Sequence, residues 1–440
     1  MLYYYKTFHE TSGDQQKKLC ISEQQPQGGQ MQLSGNITRN TIAMVMAGGK
    51  GERLSPITTG RPKPAVPFGG KYKIIDFVLS NLFNSGIRKV YILTQYQAYS
   101  LSRHIRDSWS RWTGLGEFYD TISPETTNIS EQWYRGTADA IYQNLRFIES
   151  SGADYAVIFG GDHIYKMDVA QMMSYHRMNK ADVTIAALEV SPEEATRFGV
   201  LCVDEDLRIT AFQEKPKQPA RVPGRSTCFA SMGNYIFSAK KLIDVLKKGV
   251  RTYEDLDFGK HVIPMMVEAG EKVFAYSFFD NCVPGMEPNE RGYWKDVGTI
   301  DSYYEANMDL VKVSPQLNLY NYDWPILTHQ GNLPPAKTVF DDAGRRGQNV
   351  DSLVCGGCIT SGATVRRSIL GPCCRVHSYA LVEDSILFEN VQVGRNAQVK
   401  NAIVDEGIFI PEGMEIGFDH EEDRMRGCLV TESGIVVVTR

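Results

Sequence analysis

The sequence predicts an α/β domain with a Rossmann-like parallel sheet, followed by a C-terminal parallel β-helix. A chain of 440 residues exceeds what one hydrophobic core usually supports, so two domains are expected. From residue 41 to about residue 300, short apolar strands alternate with longer amphipathic stretches, which indicates a parallel sheet with right-handed crossovers. From Val365 onward, apolar residues return about every six positions, which is the period of a parallel β-helix.

Composition sets the expected domain boundaries. Residues 1–40 are polar, rich in Gln, Gly, Ser and Lys, and without an apolar period, so we expect a disordered N-terminal arm. Met31 within this arm is a candidate for the true start of translation. We expect the α/β domain to span residues 41–305, a linker residues 306–347 and the β-helix residues 348–440.

A glycine-rich loop follows the first predicted strand, at residues 42–46. Gly48, Gly49 and Gly51 allow backbone conformations that let amide N–H groups converge on phosphate oxygens. The loop matches neither common phosphate motif, because it lacks the Lys-Ser or Lys-Thr pair of one and the third glycine of the other. Arg53 and Lys63 follow and supply two cations for phosphate. An ordinary strand-to-helix turn with solvated cations is the alternative.

The remaining elements of the α/β domain follow from apolar runs and amphipathic stretches. Strands are predicted at residues 90–94, 155–159, 183–189 and 233–237. Helices are predicted at residues 74–85, 138–149 and 169–178. Ligands of such sheets bind at the carboxyl ends of the strands, where the glycine-rich and acidic turns of this chain lie.

Two carboxylates are candidate metal ligands. Asp162 follows an apolar strand in the sequence Gly-Gly-Asp-His, and Asp296 lies in Trp-Lys-Asp-Val-Gly-Thr. Two carboxylates together with substrate oxygens complete the octahedral shell that Mg²⁺ prefers on a triphosphate. We therefore expect the two residues to act as a pair, while helix capping by Asp162 is the alternative.

Two other motifs suit substrate binding. Lys215 follows an apolar strand and precedes a proline that fixes its backbone, so it is a candidate for gripping a second phosphate. Trp133 and Tyr134 precede small residues at a predicted helix start, which suits stacking on a base. A solvated lysine and core packing of Trp133 are the alternatives.

The six-residue period of the C-terminal part is carried by three runs separated by slips of five. The runs are Val376, Val382 and Phe388; Val393 and Val399; and Val404, Ile410 and Ile416. Ordinary hairpins would instead alternate with period two and carry Asn-Gly or Asp-Gly turns, which this part lacks. Four cysteines and His377 have the rough spacing of a zinc site, but the repeat already accounts for them.

Composition excludes several classes of protein. The net charge of −5, without a long basic run, argues against nucleic acid as a main partner. No stretch approaches 18 consecutive apolar residues, so we expect no membrane span, and the N-terminus has no secretory signal pattern. Nine cysteines, an odd number, suit a reducing cytoplasm.

Seven stretches of the chain, in order, match motifs of one known family. They are Met-Ala-Gly-Gly-Lys-Gly-Glu-Arg-Leu, Arg-Pro-Lys-Pro-Ala-Val-Pro-Phe-Gly-Gly-Lys, Ile-Ile-Asp-Phe-Val-Leu-Ser-Asn, Trp-Tyr-Arg-Gly-Thr-Ala-Asp-Ala, Gly-Asp-His-Ile-Tyr-Lys-Met-Asp, Gln-Glu-Lys-Pro and Trp-Lys-Asp-Val-Gly-Thr. With them the chain resembles the sugar-nucleotide pyrophosphorylases, and the fourth and fifth stretches favour members that use ATP. The resemblance implies a GT-A-type nucleotidyltransferase domain and a left-handed β-helix.

The resemblance also implies a reaction and its residues. The expected reaction converts ATP and α-D-glucose 1-phosphate into ADP-glucose and diphosphate, the committed step of bacterial glycogen synthesis, with Mg²⁺ as cofactor. The catalytic residues it implies are Arg53, Lys63 and Asp162. For ATP it implies Gly48, Gly49, Gln95, Tyr134 and Gly136. For glucose 1-phosphate it implies Glu214, Lys215, Ser231 and Tyr235, and for the metal Asp162 and Asp296.

Regulation is where the chain departs from the family pattern. The resemblance implies metabolite effectors bound between the domains and a homo-oligomer, expected to be a tetramer. Gly60 stands where some relatives carry Lys, and Glu406 where some carry Arg. Arg61 and Lys73 remain candidate ligands for an anionic effector. An acidic residue in an anion pocket is unfavourable, which favours an effector other than the usual sugar phosphate.

Three alternative functions are considered for a chain with these motifs. A uridylyl, thymidylyl or guanylyl transferase would keep the fold and change the nucleotide. A catalytically silent regulatory subunit would typically lose a metal-binding carboxylate or the cations of the loop. Asp162, Asp296, Arg53 and Lys63 are all present. An acyltransferase working through the β-helix would need a catalytic histidine there, and His377 is the sole candidate.

Overall fold

The computed structural model describes residues 38–49, 51–124, 133–329 and 331–439. Met31 and most of the predicted N-terminal arm lie outside the described residues. Within the described residues, no helix combines the length and the apolar character needed to cross a membrane.

The α/β domain is built on a nine-stranded mixed sheet. The strands are β1 Thr41–Met46, β4 Lys89–Leu93, β5 Phe118–Ile122, β6 Tyr155–Gly160, β8 Val183–Val190, β9 Gly199–Val203, β10 Ile209–Glu214, β11 Cys228–Ser238 and β12 Val273–Ser277. The order in the sheet is β10-β9-β11-β6-β1-β4-β5, and β8 pairs with β11 and β12 beside this path. Strands β6, β1, β4 and β5 are parallel, as predicted. The sheet as a whole is not parallel, because the long strand β11 runs antiparallel to β6, β8 and β9.

Helices cover both faces of this sheet, and those at Ile74–Asn84 and Val169–Met178 lie at the predicted positions. They are α1 Ile74–Asn84, α2 Ala98–Trp109, α3 Thr137–Gln143, α4 Leu145–Ser151, α5 Val169–Met178, α6 Pro192–Ala195, α7 Ala239–Gly249, α8 Ile263–Glu268 and α9 Ile300–Asp309, with α10 His420–Met425 in the C-terminal domain. The helix predicted at 138–149 is two helices, α3 and α4. Asn144 separates them, and its side chain donates to the carbonyl of Ala140 (2.8 Å), which competes with a continuous helix.

Two short ribbons lie outside the main sheet. β2 (Pro67–Phe68) pairs with β3 (Tyr72–Lys73), and β7 (Ile164–Tyr165) pairs antiparallel with β13 (Trp294–Lys295). The β7–β13 ribbon joins parts of the chain that are far apart in sequence, and it positions the site described below.

The C-terminal domain is a three-faced parallel β-helix, which confirms the six-residue pattern. Its strands form a sheet of five (Lys337–Val339, Ile359–Ser361, Arg375–Val376, Gln392–Val393, Phe409–Ile410), a sheet of five (Gln348–Val350, Thr364–Arg366, Leu381–Glu383, Gln398–Lys400, Glu415–Ile416) and a sheet of six (Leu353–Val354, Ile369–Leu370, Ile386–Leu387, Ala402–Val404, Leu429–Val430, Val436–Val438). A small hairpin, Asp341–Asp342 with Arg345–Arg346, projects beside them. The first paired strand begins at Lys337, within the segment that the sequence suggests as a linker.

Stacked side chains explain the periodicity. Val365, Val382, Val399 and Ile416 lie in register on successive coils, seventeen residues apart, and all four are buried. Two steps of six and one of five make such a coil, which accounts for the slips in the sequence pattern. Cysteines 358 and 374 belong to the same buried core, and no described cysteine forms a disulfide.

The two domains share one hydrophobic cluster. Ile369, Ile386 and Ile403 of the six-stranded sheet pack with residues of α9, among them Tyr303. The Tyr304 hydroxyl donates to the Asp384 carbonyl at 2.6 Å. The β-helix is therefore docked on the α/β domain through an apolar face.

Candidate active site

A cleft of about 820 Å³ opens at the carboxyl ends of β1 and β6. Its position agrees with the expectation for ligands of such sheets. Nine of the predicted site residues line it: Gly48, Gly49, Arg53, Lys63, Asp162, Glu214, Ser231, Tyr235 and Asp296. The other predicted substrate residues, Gln95, Tyr134, Gly136 and Lys215, are outside its lining.

The glycine loop is fixed at its start by the sheet. The Ala47 amide donates to the Leu93 carbonyl at 2.8 Å. Gly51 has a φ of +65° in the left-handed region, and a Cβ atom there would lie 3.0 Å from the Cβ atom of Lys63. Only glycine combines this backbone conformation with such close contact, so Gly51 brings the loop against the segment that carries Lys63.

Lys63 lies between the two predicted metal ligands. Its Nζ donates to Asp162 Oδ2 at 3.0 Å and to Asp296 Oδ1 at 2.7 Å. The lysine side chain is 7% exposed, whereas the Asp162 and Asp296 side chains are 36% and 28% exposed towards the cleft. The sequence predicted the two carboxylates as a pair and Lys63 as a phosphate cation, but it gave no sign that the three side chains touch.

The ionisation of these groups follows from their mutual contacts. Burial by itself lowers the pKa of Lys63, but Asp162 and Asp296 outweigh it, so the pKa of the ammonium is raised. Burial also acts to raise the pKa of Asp162, while His163 and Lys63 outweigh it and lower that pKa to about 2. The cation and Asp162 are therefore charged at neutral pH.

The β7–β13 ribbon brings the two carboxylates together. Tyr165 pairs with Trp294 and Ile164 with Lys295, and Asp296 follows directly on β13. Asp162 lies two residues before Ile164, so both carboxylates project from the same end of the ribbon. Nothing in the local sequence of either segment reveals this pairing.

Arg53 lies at the open side of the cleft. Its guanidinium is 3.8 Å from Asp296, and its side chain is 73% exposed. A Cβ atom at Gly298 would lie 3.0 Å from Arg53 Nη2, so this glycine leaves room for the guanidinium. The arginine is thus available to an incoming anion, in contrast to the buried Lys63.

His163 also lines the cleft, and no role was predicted for it from the sequence. Asp162, His163 and Asp296 form the one group of three His, Cys, Asp or Glu side chains within the described residues whose ligand atoms all lie within 4.8 Å of one another. The His163 ring packs on Trp294 with 4.7 Å between centroids, and its Nδ1 atom is buried without a partner. Within the described residues, the β-helix cysteines do not form such a group.

The opposite wall of the cleft is formed by β10 and β11. Glu214 ends β10, while Ser231 and Tyr235 lie on β11. Tyr235 is buried and stacks on Phe258 at 5.1 Å, and burial raises the pKa of its hydroxyl. Lys215 points outward instead, with 65% of its side chain exposed and its Nζ 3.8 Å from Glu214.

Two residues missed by the sequence reasoning also line this part of the cleft. The Thr137 hydroxyl donates to Asp257 Oδ2 at 2.8 Å and accepts from the Phe258 amide at 3.1 Å. Asp257 in turn caps the short π-helical turn Phe258–Val262 by accepting from the Lys260 amide. Asp257 lies in an acidic loop without a strand-end signal, which is why the sequence did not indicate it.

The residues expected around the ATP base lie beside the glycine loop. A Cβ atom at Gly48 would lie 3.1 Å from the Gln95 Cβ atom, and Gln95 Nε2 is 3.5 Å from the Tyr134 carbonyl. Gly136 is required by packing, because a Cβ atom there would lie 2.4 Å from the Leu256 carbonyl oxygen. Trp133 is 47% exposed and stacks on Tyr96 at 4.9 Å, which contradicts the core-packing alternative.

The two residues expected to bind an effector lie at the domain junction. Arg61 is buried and pairs with Asp405 at 2.9 Å and with Glu406 at 3.4 Å. Burial and the nearby Arg61 charge lower the pKa of Lys73. The anionic partners of Arg61 in this structure are thus carboxylates of the β-helix.

Comparisons with known proteins agree with both domains. A family model described as nucleotidyl transferase matches residues 42–313, and one described as GlmU-like, C-terminal hexapeptide matches residues 334–438. Glucose-1-phosphate adenylyltransferase of Geobacter metallireducens is 71% identical over 409 residues, covering 93% of this chain and 99% of that protein. The enzyme of the same name from Trichlorobacter lovleyi is 71% identical over 405 residues (92% and 98%), and that of Shewanella baltica 50% over 414 residues (93% and 97%).

Proposed function

The chain belongs to the nucleotidyl transferase family, and on that premise we propose that it transfers the adenylyl group of ATP to α-D-glucose 1-phosphate, forming ADP-glucose and diphosphate. Relatives named for this activity match at 50–71% identity over almost their whole length. The observation that carries the proposal within the chain is the contact of Lys63 with Asp162 and Asp296 beside the glycine loop. This arrangement combines a cation with a carboxylate pair beside a loop suited to phosphate.

The chemistry places few demands on acid–base groups. The nucleophile is a phosphate oxygen of the sugar phosphate, which is already ionised at neutral pH, so no general base is needed. The bond from this oxygen to the α-phosphorus forms while the bond to the diphosphate oxygen breaks. The protein must therefore align the two substrates and stabilise the added negative charge.

Two cations are suited to the charged transition state. Arg53 is exposed at the cleft and can bind phosphate oxygens through its planar guanidinium. Lys63 is held charged beside the carboxylates, and its ammonium can turn towards phosphate when a triphosphate enters. Loss of either cation should therefore slow the transfer step more than it weakens binding of the sugar.

The carboxylate pair fits Mg²⁺. Asp162 and Asp296 offer hard oxygen donors, and both already converge on one cation, the Lys63 ammonium. When bound, Mg²⁺ would neutralise charge on the phosphates. We propose these two residues as its ligands.

Substrate binding is proposed on opposite sides of the carboxylates. Gly48 and Gly49 would contact the triphosphate, with Gln95, Tyr134 and Gly136 near the base. Glu214, Ser231 and Tyr235 would bind the sugar, whose hydroxyl groups suit their polar atoms. Lys215 would reach the sugar phosphate from the rim, because its exposed side chain is free to move.

Regulation and assembly remain proposals. We propose that metabolite effectors act at the Arg61–Lys73 junction and that the chain forms a homotetramer serving glycogen synthesis. The ion pairs of Arg61 with Asp405 and Glu406 favour an effector unlike a simple sugar phosphate, since a second anion would meet two carboxylates. We propose a cytoplasmic location, which the unpaired cysteines of the described residues suit.

The decisive experiment is a diphosphate-release assay with purified full-length protein. ATP and glucose 1-phosphate with Mg²⁺ should give the highest kcat/KM among all pairings of ATP, UTP, dTTP and GTP with common sugar 1-phosphates. A preference for UTP, dTTP or GTP would replace the proposal with the corresponding transferase. Absence of turnover with every pairing would support a silent regulatory subunit.

A further inference from the structure

A buried ion pair lies at the end of the β7–β13 ribbon opposite the cleft. Lys166 follows β7 directly, and Glu290 lies four residues before β13. Lys166 Nζ is 2.8 Å from Glu290 Oε1, and the two side chains are only 2% and 1% exposed. Neither residue lines the cleft.

Both partners are tied into the surrounding backbone. Glu290 Oε1 also accepts from the Asn318 amide at 2.9 Å, and Oε2 accepts from the Glu287 amide at 3.1 Å. Lys166 Nζ donates in addition to the Asn318 carbonyl. Because these bonds satisfy the charges, the pair can persist in the interior, where an unpaired charge would be very costly.

The ribbon needs such support. It consists of two residue pairs, and a ribbon this short is not stable alone. β7 is anchored to α1, because Asn81 Nδ2 donates to the Tyr165 carbonyl at 3.0 Å. Asp296 follows β13 directly, and the segment leading into β13 is tied to the end of β7 through Glu290.

The two ends of the ribbon carry different charge arrangements. At the cleft end, Asp162 and Asp296 are like charges that Lys63 holds together. When Lys63 turns towards a substrate phosphate, their repulsion acts to open the ribbon. The opposite end is closed by an ammonium–carboxylate contact that substrate does not reach.

We propose that the Lys166–Glu290 ion pair is a positioning device, which keeps Asp162 and Asp296 at the separation needed to bind the divalent cation. The inference rests on the proposed function, because it assumes that these carboxylates are metal ligands. Lys166 and Glu290 are positioning residues that act through the ribbon and touch no substrate.

The test measures Mn²⁺ binding to the full-length protein by electron paramagnetic resonance, together with the Mn²⁺ concentration that gives half-maximal activity. Lys166→Met and Glu290→Gln should each raise the Mn²⁺ dissociation constant about 10- to 100-fold, the range typical for residues that orient metal ligands. The KM for glucose 1-phosphate at saturating Mn²⁺ should stay within about twofold. A purely structural role would not separate these constants.

The double variant K166M/E290Q separates positioning from folding. It removes both buried charges, so its melting temperature should recover relative to the single variants, while its Mn²⁺ affinity should stay low. Leu242→Ala, in the buried face of α7, is the control that lowers stability without changing Mn²⁺ affinity. If single variants that fold bind Mn²⁺ normally, or if the double variant regains both stability and affinity, the inference is wrong.

The wild-type metal site is tested in the same experiment. Asp162→Asn should abolish the tight binding of Mn²⁺. Unchanged Mn²⁺ binding in that variant would refute the proposed metal site and, with it, this inference. Loss of binding in Asp162→Asn with normal binding in Lys166→Met would refute the positioning role alone.

Discussion

In the β-helix each buried side chain lies over a similar one in the next coil, whereas the cleft gathers charges from distant parts of the chain. Val382 meets Val365 and Val399 at a constant spacing of seventeen residues. Lys63 meets Asp162 and Asp296 across 99 and 233 residues. The β-helix therefore depends on repeated packing, and the cleft on a few contacts that no repeat specifies. Substitutions should affect stability in the first region and chemistry in the second.

The largest expected effect tests the cleft side of this contrast. Asp162→Asn removes one carboxylate from the cation-binding pair, so kcat should fall at least ~10³-fold with modest changes in KM. Steady-state kinetics with both substrates measures this, and circular dichroism confirms that the fold is kept. If the variant keeps a tenth of the wild-type kcat, the assignment fails.

The next effect tests the β-helix side. Ile410 is buried and lies in register with Val393 of the preceding coil, so Ile410→Ala should cost about 2–5 kcal/mol of stability through the cavity it leaves. The kcat of the folded protein should not change. Chemical denaturation and kinetics of the same sample measure both quantities, with the exposed neighbour Glu412→Ala as the control. A large loss of kcat without loss of stability would place β-helix packing in the catalytic machinery and break the contrast.

A third prediction adds pH to the comparison, within the α/β domain. His176 in α5 is buried against Thr184, and burial lowers its pKa from 6.5 to about 4. In the unfolded chain His176 takes up a proton below about pH 6.5, whereas in the folded protein it does so only below about pH 4. Stability should therefore be fully present above pH 6.5 and fall by about 3 kcal/mol as the pH drops to 4.

His176→Gln tests this directly, because glutamine does not titrate. The variant should be less stable at pH 7 but should lose about 3 kcal/mol less between pH 6.5 and 4. Urea unfolding at the two pH values gives the difference. If the unfolding free energies of wild type and variant fall by the same amount between the two pH values, the prediction is wrong.

The smallest expected effect concerns the rim of the cleft. Lys215 is largely exposed at the rim, so Lys215→Ala should weaken binding of glucose 1-phosphate by about 2 kcal/mol. Its KM should therefore rise roughly 30-fold, and kcat should stay nearly unchanged. Lys217→Ala, an exposed lysine two residues away, is the matched control. A raised KM for ATP with an unchanged KM for the sugar phosphate would show that Lys215 serves the other substrate.

Local patterns predicted much of the architecture. The helix at Val169–Met178 has the predicted bounds, and the first strand, Thr41–Met46, begins one residue early. The strand predicted at 233–237 is the end of a longer antiparallel strand, Cys228–Ser238, because orientation depends on partners that a local run does not reveal. The helix predicted at 138–149 breaks at Asn144 for a side-chain hydrogen bond that periodicity cannot detect.

The candidate site divides in the same way. Gly48, Gly49 and Asp162 were identified from turns after apolar strands, and Asp296 from the motif Trp-Lys-Asp-Val-Gly-Thr. All four line one cleft. The position of His163 in that cleft, the contact of Thr137 with Asp257 and the outward direction of Lys215 were not predicted. Each depends on which segments pack together after folding.

The period of the β-helix, the first strand of the α/β domain with its glycine loop, and the identity of the charged groups can be read from the amino-acid sequence. These are local properties, set by side-chain volume, hydrophobicity and backbone freedom along the chain. The position of Lys63 between Asp162 and Asp296, and the contact of Lys166 with Glu290 at the far end of their ribbon, arise only when distant segments pack together. Electrostatic contacts depend on distance in space, and a two-residue ribbon between remote segments leaves no periodic trace in the sequence.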